Sequence, residues 1–183
     1  MTLDVVIESA LWDGTDLDRL AGKAEAAVMD RLGIEPSLCE GALLACDDAR
    51  IAELNADFRG RARATNVLSW PAEERGATTP GEMPLALRPD PTGAIELGDM
   101  ALAYETCAAE AREQGKPFEA HLTHLIVHGL LHLMGFDHER DPDATLMEGL
   151  ETEILGQMGL PDPYGMDDHG RSAAREGDDV HTD

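Results

Sequence analysis

Three histidines in the second half of the chain have the spacing of a metal site. His128 and His132 are four residues apart, so on a helix their imidazoles lie one turn apart on the same face. Two imidazoles placed in this way can bind one ion. Gly135 follows three residues later, and glycine readily adopts the left-handed conformation that ends a helix. The turn would bring His138 back as a third ligand, so the spacing predicts a site formed by His128, His132 and His138.

The residues around these histidines qualify the prediction. The spacing is that of the metzincin pattern H-E-x-x-H-x-x-G-x-x-H, but Gly129 replaces the general-base glutamate of those proteases. Glycine costs about 1 kcal/mol relative to alanine inside a helix, so we expect a packing or functional reason for it. We interpret His121 and His124 as cavity-wall residues or partners of the ligands. Asp137 would orient a ligand, lie near the substrate or stabilise the turn.

Helices and strands alternate along the chain. The apolar residues predict strands over 3–7, 37–46, 66–70 and 94–103, and helices over 17–32, 49–58, 104–114 and from 141 or 143 to about 157. Asp47 or Asp48 can cap the second helix, and Asp141 or Asp143 the last. Residues 72–92 are rich in proline, glycine and charge and are predicted to form a long surface loop. The histidine helix is apolar nearly all round, which predicts a central helix backed by the sheet of an α/β fold.

Length and composition narrow the class of protein. We predict one domain over residues 1–164 and an acidic, disordered tail over 165–183. The net charge of −23 argues against broad, non-specific nucleic-acid binding but leaves room for a local basic site. The N-terminus does not resemble a signal peptide, and the longest apolar run is too short to span a bilayer. Cys39, Cys46 and Cys107 form no C-x-x-C pair, which is typical of a reduced cytoplasmic protein.

Several motifs resemble one known family. The run HGLLHLMGFDH, from His128 to His138, is similar to the signature of the YbeY family of bacterial endoribonucleases. Shorter motifs are similar to family motifs in the same order: Arg59 with Thr65–Pro71 (TNVLSWP), Leu97–Met100 (LGDM) and Pro161–Tyr164 (PDPY). The similarity covers residues 3 to 164. Asn66 stands where the family more often has aspartate, which argues against a charged role there.

The resemblance implies a fold, an activity and partners. It implies a single-domain α/β sandwich with a mixed, mostly parallel four-stranded sheet and a zincin-like central helix. It implies a zinc-dependent, single-strand-specific endoribonuclease that matures the 3′ end of small-subunit ribosomal RNA and acts in ribosome quality control. His128, His132 and His138 would bind one Zn²⁺, and Arg59 would be the functional arginine. The small ribosomal subunit and the GTPase Era would be partners, in the cytoplasm and away from the membrane.

The residues themselves favour phosphoryl chemistry. Three neutral imidazoles leave zinc its double charge and an open fourth position, where bound water has a pKa of about 7. Without a helix glutamate, the hydroxide acts alone, a group elsewhere assists, or the RNA 2′-OH is the nucleophile. Arg59, Arg61 and Arg63 cluster in a chain with only 14 basic residues, and arginine binds phosphate oxygens in pairs. For Arg61 and Arg63 we favour an exposed basic loop, whereas Arg59 and zinc would together stabilise the charge of a phosphodiester transition state.

Two other classes of function stay open from the sequence. A metalloprotease or other metal hydrolase is suggested by the metzincin spacing and weakened by Gly129. A non-catalytic ribosome-assembly protein with a structural metal would need a fourth protein ligand, for which His124 or Asp99 is a candidate.

Overall fold

The described residues, 3–60 and 63–164 of this computed structural model, form a four-stranded sheet with five α-helices. The strands are β1 (Leu3–Ile7), β2 (Cys39–Cys46), β3 (Val67–Pro71) and β4 (Ile95–Ala103). The helices are α1 (Leu17–Leu32), α2 (Asp48–Arg59), α3 (Tyr104–Glu113), α4 (Phe118–Leu133) and α5 (Asp141–Gln157). Short 3-10 helices span Ala10–Trp12 and Pro36–Leu38. Each predicted strand and helix is therefore present, within two residues at either end.

The sheet is mixed and mostly parallel, as expected. Its order is β1-β2-β4-β3, in which β1 and β4 run parallel to β2 while β3 runs antiparallel to β4. The helices that connect the parallel strands lie on the faces of the sheet, which is the usual consequence of such connections. The prediction of an α/β sandwich is confirmed.

Alternate residues of the sheet face two cores of different size. Leu43 of β2 and Met100 of β4 point into the larger core, which also contains the apolar sides of α1, α4 and α5. Ala101, the next residue of β4, points to a smaller core on the opposite face, where Ile51 of α2 packs. The predicted central helix is confirmed, because every residue of α4 from His121 to Leu131 is buried.

Strand β4 contains an irregularity at the point where it approaches β3 closely. Opposite β2 the register shifts by one residue at Gly41, which leaves Leu97 as an extra residue on β4. Gly98 follows with φ +128°, and a Cβ there would lie 2.1 Å from the backbone oxygen of Trp70 in β3. Only glycine permits both the backbone conformation and this close approach.

One of the two predicted helix caps needs correction. Asp47 does cap α2, where its side chain accepts the Arg50 backbone N–H at 2.8 Å. Helix α5, however, begins at Asp141 after Arg140, with no capping side-chain hydrogen bond. Asp143 instead accepts the backbone N–H of Gly81, so the aspartate that was expected to cap the helix holds the 72–92 loop.

The 72–92 loop has no helix or strand, as predicted, but it is not merely a surface segment. Arg75 is only 4% exposed, and its guanidinium donates to the backbone oxygens of Leu133 and Glu96 at 3.2 and 3.1 Å. The loop is thereby fixed to the C-terminus of α4 and to β4. A buried arginine is stable here because backbone oxygens satisfy its donors.

Within the described part of the chain, every helix is too short or too polar to cross a bilayer. The predicted acidic tail, residues 165–183, lies outside the described residues.

Candidate metal centre

Helix α4 directs two imidazoles at one point. The Nε2 atoms of His128 and His132 are 3.1 Å apart, and their ring centroids are 4.6 Å apart. Two ligands of a tetrahedral zinc ion are separated by about 3.3 Å, given Zn–N bonds of about 2.0–2.1 Å. The four-residue spacing therefore produces the geometry that the sequence predicted.

The turn after α4 brings the third histidine to the same point. Gly135 has φ +105°, and a Cβ there would lie 2.8 Å from the backbone carbonyl of Arg75. The chain reverses at this glycine, and the His138 ring comes to rest with its centroid 5.3 Å from that of His128 and 5.0 Å from that of His132. Asp137 accepts the His138 backbone N–H at 2.7 Å, so it stabilises the turn. This was one of the three roles considered for it.

The three histidines fit a metal with an open coordination position. One nitrogen of each ring lies within 4.8 Å of the others, and among the described residues no further acidic, cysteine or histidine side chain joins this group. Asp99 is exposed, and His124 bonds to Glu151 instead. The two candidates for a fourth ligand therefore do not complete the site.

The electrostatics of the centre favour a neutral imidazole at His132. Burial lowers the pKa of His132 well below its ordinary value, and the neighbouring rings of His128 and His138 lower it further. Neutral imidazole is the form that binds metal, so little competition from protons is expected near neutral pH.

A buried carboxylate holds one of the three rings. Glu151 of α5 is completely buried and accepts from Nδ1 of His128 through Oε1 at 2.5 Å. Its other oxygen is 3.1 Å from Nε2 of His124 and accepts the hydroxyl of Tyr164. Burial alone would raise the pKa of Glu151, but the electrostatic interaction with His128 and the hydrogen bonds from both histidines lower it below its usual value. Glu151 is therefore held as a carboxylate.

The sequence analysis did not identify Glu151, although a signal was present. The residue lies in the apolar stripe of α5, with Met147 one turn before it and Ile154 and Leu155 one turn after it, all buried. A glutamate at a core position of a helix needs a buried partner. His124, which was interpreted as a partner of the ligands, bonds to the same carboxylate.

The reason for Gly129 is packing. A Cβ at this position would lie 2.2 Å from the terminal methyl of Met100 and 3.3 Å from the hydroxyl of Ser69. The side chain of Met100 thus occupies the space that the first atom of a side chain at position 129 would need. The sheet approaches α4 closely at the ligand histidines because this residue has no side chain.

A cleft of about 420 Å³ opens beside His132. One wall is formed by the end of β3 and the turn after α4, and the other by the 72–92 loop. Arg140 supports this loop by donating to the backbone oxygens of Ala77 and Thr78. The lining contains two arginines, Arg75 and Arg140, and six acidic residues, Glu73, Glu74, Glu82, Asp137, Glu139 and Asp143. The cleft beside His132 is therefore predominantly acidic.

A second buried network surrounds Asn66. Its side-chain amide donates to Glu110 of α3 at 3.0 Å, and the same carboxylate is 2.9 Å from Nε2 of His121. The side-chain oxygen of Asn66 accepts the backbone N–H of Val67 at 2.6 Å. An amide can donate to Glu110 and an aspartate cannot, so asparagine suits this position. His121 accordingly bonds to Glu110 and is not part of the histidine group.

The predicted arginines are only partly described. Arg59 is the last residue of α2, but its side chain lies outside the described part of the structure, and so does Arg61. Arg63 is exposed, in agreement with the basic-loop interpretation. The role expected for Arg59 stays a prediction.

Known proteins are similar to this chain over most of its length. Residues 8–159 match the family described as Endoribonuclease YbeY. A protein of that name from Ruegeria pomeroyi is 59% identical over 91% of this chain and 100% of the relative. Another from Dinoroseobacter shibae is 55% identical over 89% of this chain and 90% of the relative.

The fold is also found in a solved structure. The solution structure of a Thermotoga maritima protein matches with a TM-score of 0.52 and 23% identity, covering 92% of this chain and 99% of that one. At this identity the match concerns the fold alone. The family match includes β2 to β4, the five α-helices and the three histidines, and the chain belongs to the YbeY family.

Proposed function

We propose that this protein is a zinc-dependent endoribonuclease that cleaves single-stranded RNA, matures the 3′ end of small-subunit ribosomal RNA and acts in ribosome quality control. The observation that carries the proposal is the group of three imidazole nitrogens within 4.8 Å of one another beside a cleft. The relatives named Endoribonuclease YbeY support the same activity.

The ligand residues have distinct tasks in this proposal. His128 and His132 would bind the metal from a rigid, buried helix, and His138 would bind it from the turn that follows. Zinc held by three neutral imidazoles supplies a double positive charge and hydroxide at neutral pH. The 72–92 loop and the turn after α4 would position the scissile phosphodiester beside His132.

The charge of the phosphate would be stabilised by Arg59, as the family resemblance implies. Its guanidinium would bind two phosphate oxygens and stabilise the charge that increases in the transition state. The acidic lining of the cleft favours such a cation, because both arginines of the lining are engaged elsewhere. Arg75 donates to two backbone oxygens, and Arg140 donates to the backbone of the 72–92 loop and to Asp143.

The contacts of Gly129 weigh against a protease mechanism. Metzincins place their general-base glutamate at this position, but Met100 fills the corresponding space here. A glutamate at this position would be forced into the core between α4 and the sheet. Helix α4 therefore contributes ligands and no general base.

The open coordination position weighs against a purely structural metal. Structural zinc sites are closed by four protein ligands. Among the described residues the histidine group has three members.

The acidic surface suggests that the RNA arrives with a partner. A protein of net charge −23 repels free RNA, and little of its affinity can come from counterion release. The small ribosomal subunit, with the GTPase Era, would present the RNA end in the cytoplasm.

An RNA cleavage assay tests the proposal. Zinc-loaded protein would cleave an unprocessed small-subunit 3′ end, and cleavage would be lost with chelator and in His132→Ala. His169→Ala, which removes a histidine outside the described residues, should keep both zinc and cleavage. Activity that survives both chelator and His132→Ala would refute the proposal. Products with a 5′-phosphate would assign water as the nucleophile, whereas a cyclic 2′,3′-phosphate would assign the RNA 2′-OH.

A further inference from the structure

The carboxylate of Glu151 connects a metal-ligand histidine to the C-terminal end of the described chain. Oε1 accepts from Nδ1 of His128, and Oε2 accepts from the hydroxyl of Tyr164 and lies 3.1 Å from His124. Each of the two carboxylate oxygens is thus engaged. The residue is completely buried, so these side chains replace the water that would otherwise solvate the charge.

The bond to Nδ1 determines which nitrogen of His128 is available to a metal. With the proton on Nδ1, the lone pair is on Nε2, and Nε2 is the atom that lies 3.1 Å from Nε2 of His132. A hydrogen-bonded carboxylate also fixes the ring orientation and increases the basicity of the ligand.

The same residues do not form a second metal site. His124, His128 and Glu151 do lie close enough together to be considered as one. The oxygen of Glu151 and Nδ1 of His128, however, are only 2.5 Å apart. Two ligands of one zinc ion are separated by about 3.3 Å when each bond is about 2.0–2.1 Å long, whereas 2.5 Å is a hydrogen-bond distance.

Tyr164 reaches this carboxylate because the chain folds back after α5. The Thr152 hydroxyl donates to Asp162 at 3.1 Å, and Asp162 accepts the Tyr164 backbone N–H at 2.8 Å. The aromatic ring packs edge-on against His124 with a centroid distance of 5.5 Å. The PDPY segment therefore holds a hydroxyl against a buried carboxylate.

We propose that Glu151 and Tyr164 are positioning residues that set the metal affinity of the site through His128. The inference rests on the proposed metal centre and extends it beyond the three ligands. Glu151 acts directly on the ligand, and Tyr164 acts only through Glu151.

A double-mutant cycle on zinc affinity tests this order of action. Zinc dissociation constants would be measured by chelator competition for the wild type, Glu151→Gln, Tyr164→Phe and the double variant, without RNA. We expect about 10- to 100-fold weaker binding for Glu151→Gln, which is the usual cost of losing such a partner. Tyr164→Phe should weaken binding about 3- to 10-fold, since a single hydrogen bond is worth about 1 kcal/mol. The double variant should bind no more weakly than Glu151→Gln alone.

Matched controls separate positioning from general stability. Glu153→Gln removes a carboxylate from the exposed side of the same helix, and Tyr104→Phe removes a hydroxyl from the aromatic cluster around Trp12. Both should keep the wild-type zinc affinity. The absorption spectrum of the cobalt-substituted protein should change in Glu151→Gln and Tyr164→Phe and stay unchanged in the controls.

Each outcome bears on the inference. Zinc affinity within twofold of the wild type in Glu151→Gln, or losses that add in the double variant, would overturn it. If Glu151→Gln does not fold, an unchanged affinity in Tyr164→Phe overturns it. Wild-type protein that binds zinc but does not cleave RNA would refute the proposed function and leave this inference standing. Wild-type protein that binds no metal would overturn both.

Discussion

The buried guanidinium of Arg75 should contribute much of the stability of the site. It donates to the backbone oxygens of Leu133, at the end of α4, and of Glu96, in β4. Methionine at this position would keep the apolar stem but leave both oxygens without that donor. Its ion pair with Glu73, whose side chain is 72% exposed, should add little.

The magnitude follows from the two hydrogen bonds. A bond to a charged group contributes about 1.5–3 kcal/mol, so Arg75→Met should lower the free energy of unfolding by about 3 kcal/mol or more. For a domain of this size, that loss corresponds to a decrease in Tm of about 6–12 °C. Arg88→Met, at an exposed position of the same loop, should change stability by no more than about 0.5 kcal/mol.

Urea unfolding of the metal-free protein, followed by circular dichroism, measures both variants. The metal is omitted so that a change in zinc affinity does not contribute to the apparent stability. A loss below about 1 kcal/mol in Arg75→Met, or an equal loss in Arg88→Met, would contradict the anchoring role. The 72–92 loop would then be the simple surface loop that its composition suggests.

Three further perturbations test the packing around the site. Gly129→Ala should destabilise the protein by about 1 kcal/mol in urea unfolding, because the cost of overpacking against Met100 exceeds the stability gained from the higher helix propensity of alanine. In a Met100→Ala background, the same change should stabilise the protein. Gly98→Ala should cost about 4 kcal/mol from backbone strain and overlap with β3, whereas Gly93→Ala, with φ +90° and open space, measures the strain alone. Burial raises the pKa of Cys107 well above its model-peptide value of 9.0, so this thiol should resist a disulfide reagent at pH 8 until the protein is unfolded. Because the unfolded thiol ionises first, stability should also fall as the pH rises above 9.

The sequence predicted that the three histidines come together because their geometry is local. A four-residue spacing places His128 and His132 on one helix face, whatever the rest of the fold is. Gly135 indicates that the chain reverses direction after the helix. The alternation of strands and helices likewise depends on short segments of the sequence. This explains why the predicted ends of the strands and helices agree with the observed ends. The mixed, mostly parallel sheet was expected only from the family resemblance, and its strand order was not predicted, since parallel pairing joins distant segments.

The residues that the sequence analysis missed depend on distant contacts. Glu151 lies 23 residues after the histidine that it holds, and Arg75 lies 58 residues before the oxygen of Leu133. The residues that neighbour Glu151 and Arg75 in the sequence do not indicate which distant group each one contacts. The composition of the 72–92 loop even predicts that Arg75 is exposed, since charged residues in a loop rich in proline and glycine usually are. Its burial follows from its hydrogen bond to the carbonyl oxygen of Leu133 at the end of α4, which a sequence pattern does not display.

The distinction between local and distant contacts also applies to the candidate metal centre, because the orientation of His128 depends on distant contacts. The ligand motif can specify which atoms bind an ion, but it cannot specify how firmly His128 is oriented or which nitrogen it presents. Those properties come from α5 and from the segment that ends at Tyr164. A chain with an intact histidine motif and an altered carboxylate on α5 should therefore keep its fold and its three ligands, yet bind metal more weakly. If the proposed metal centre is correct, metal affinity in this protein would depend on the packing of α4 against α5 as much as on the motif.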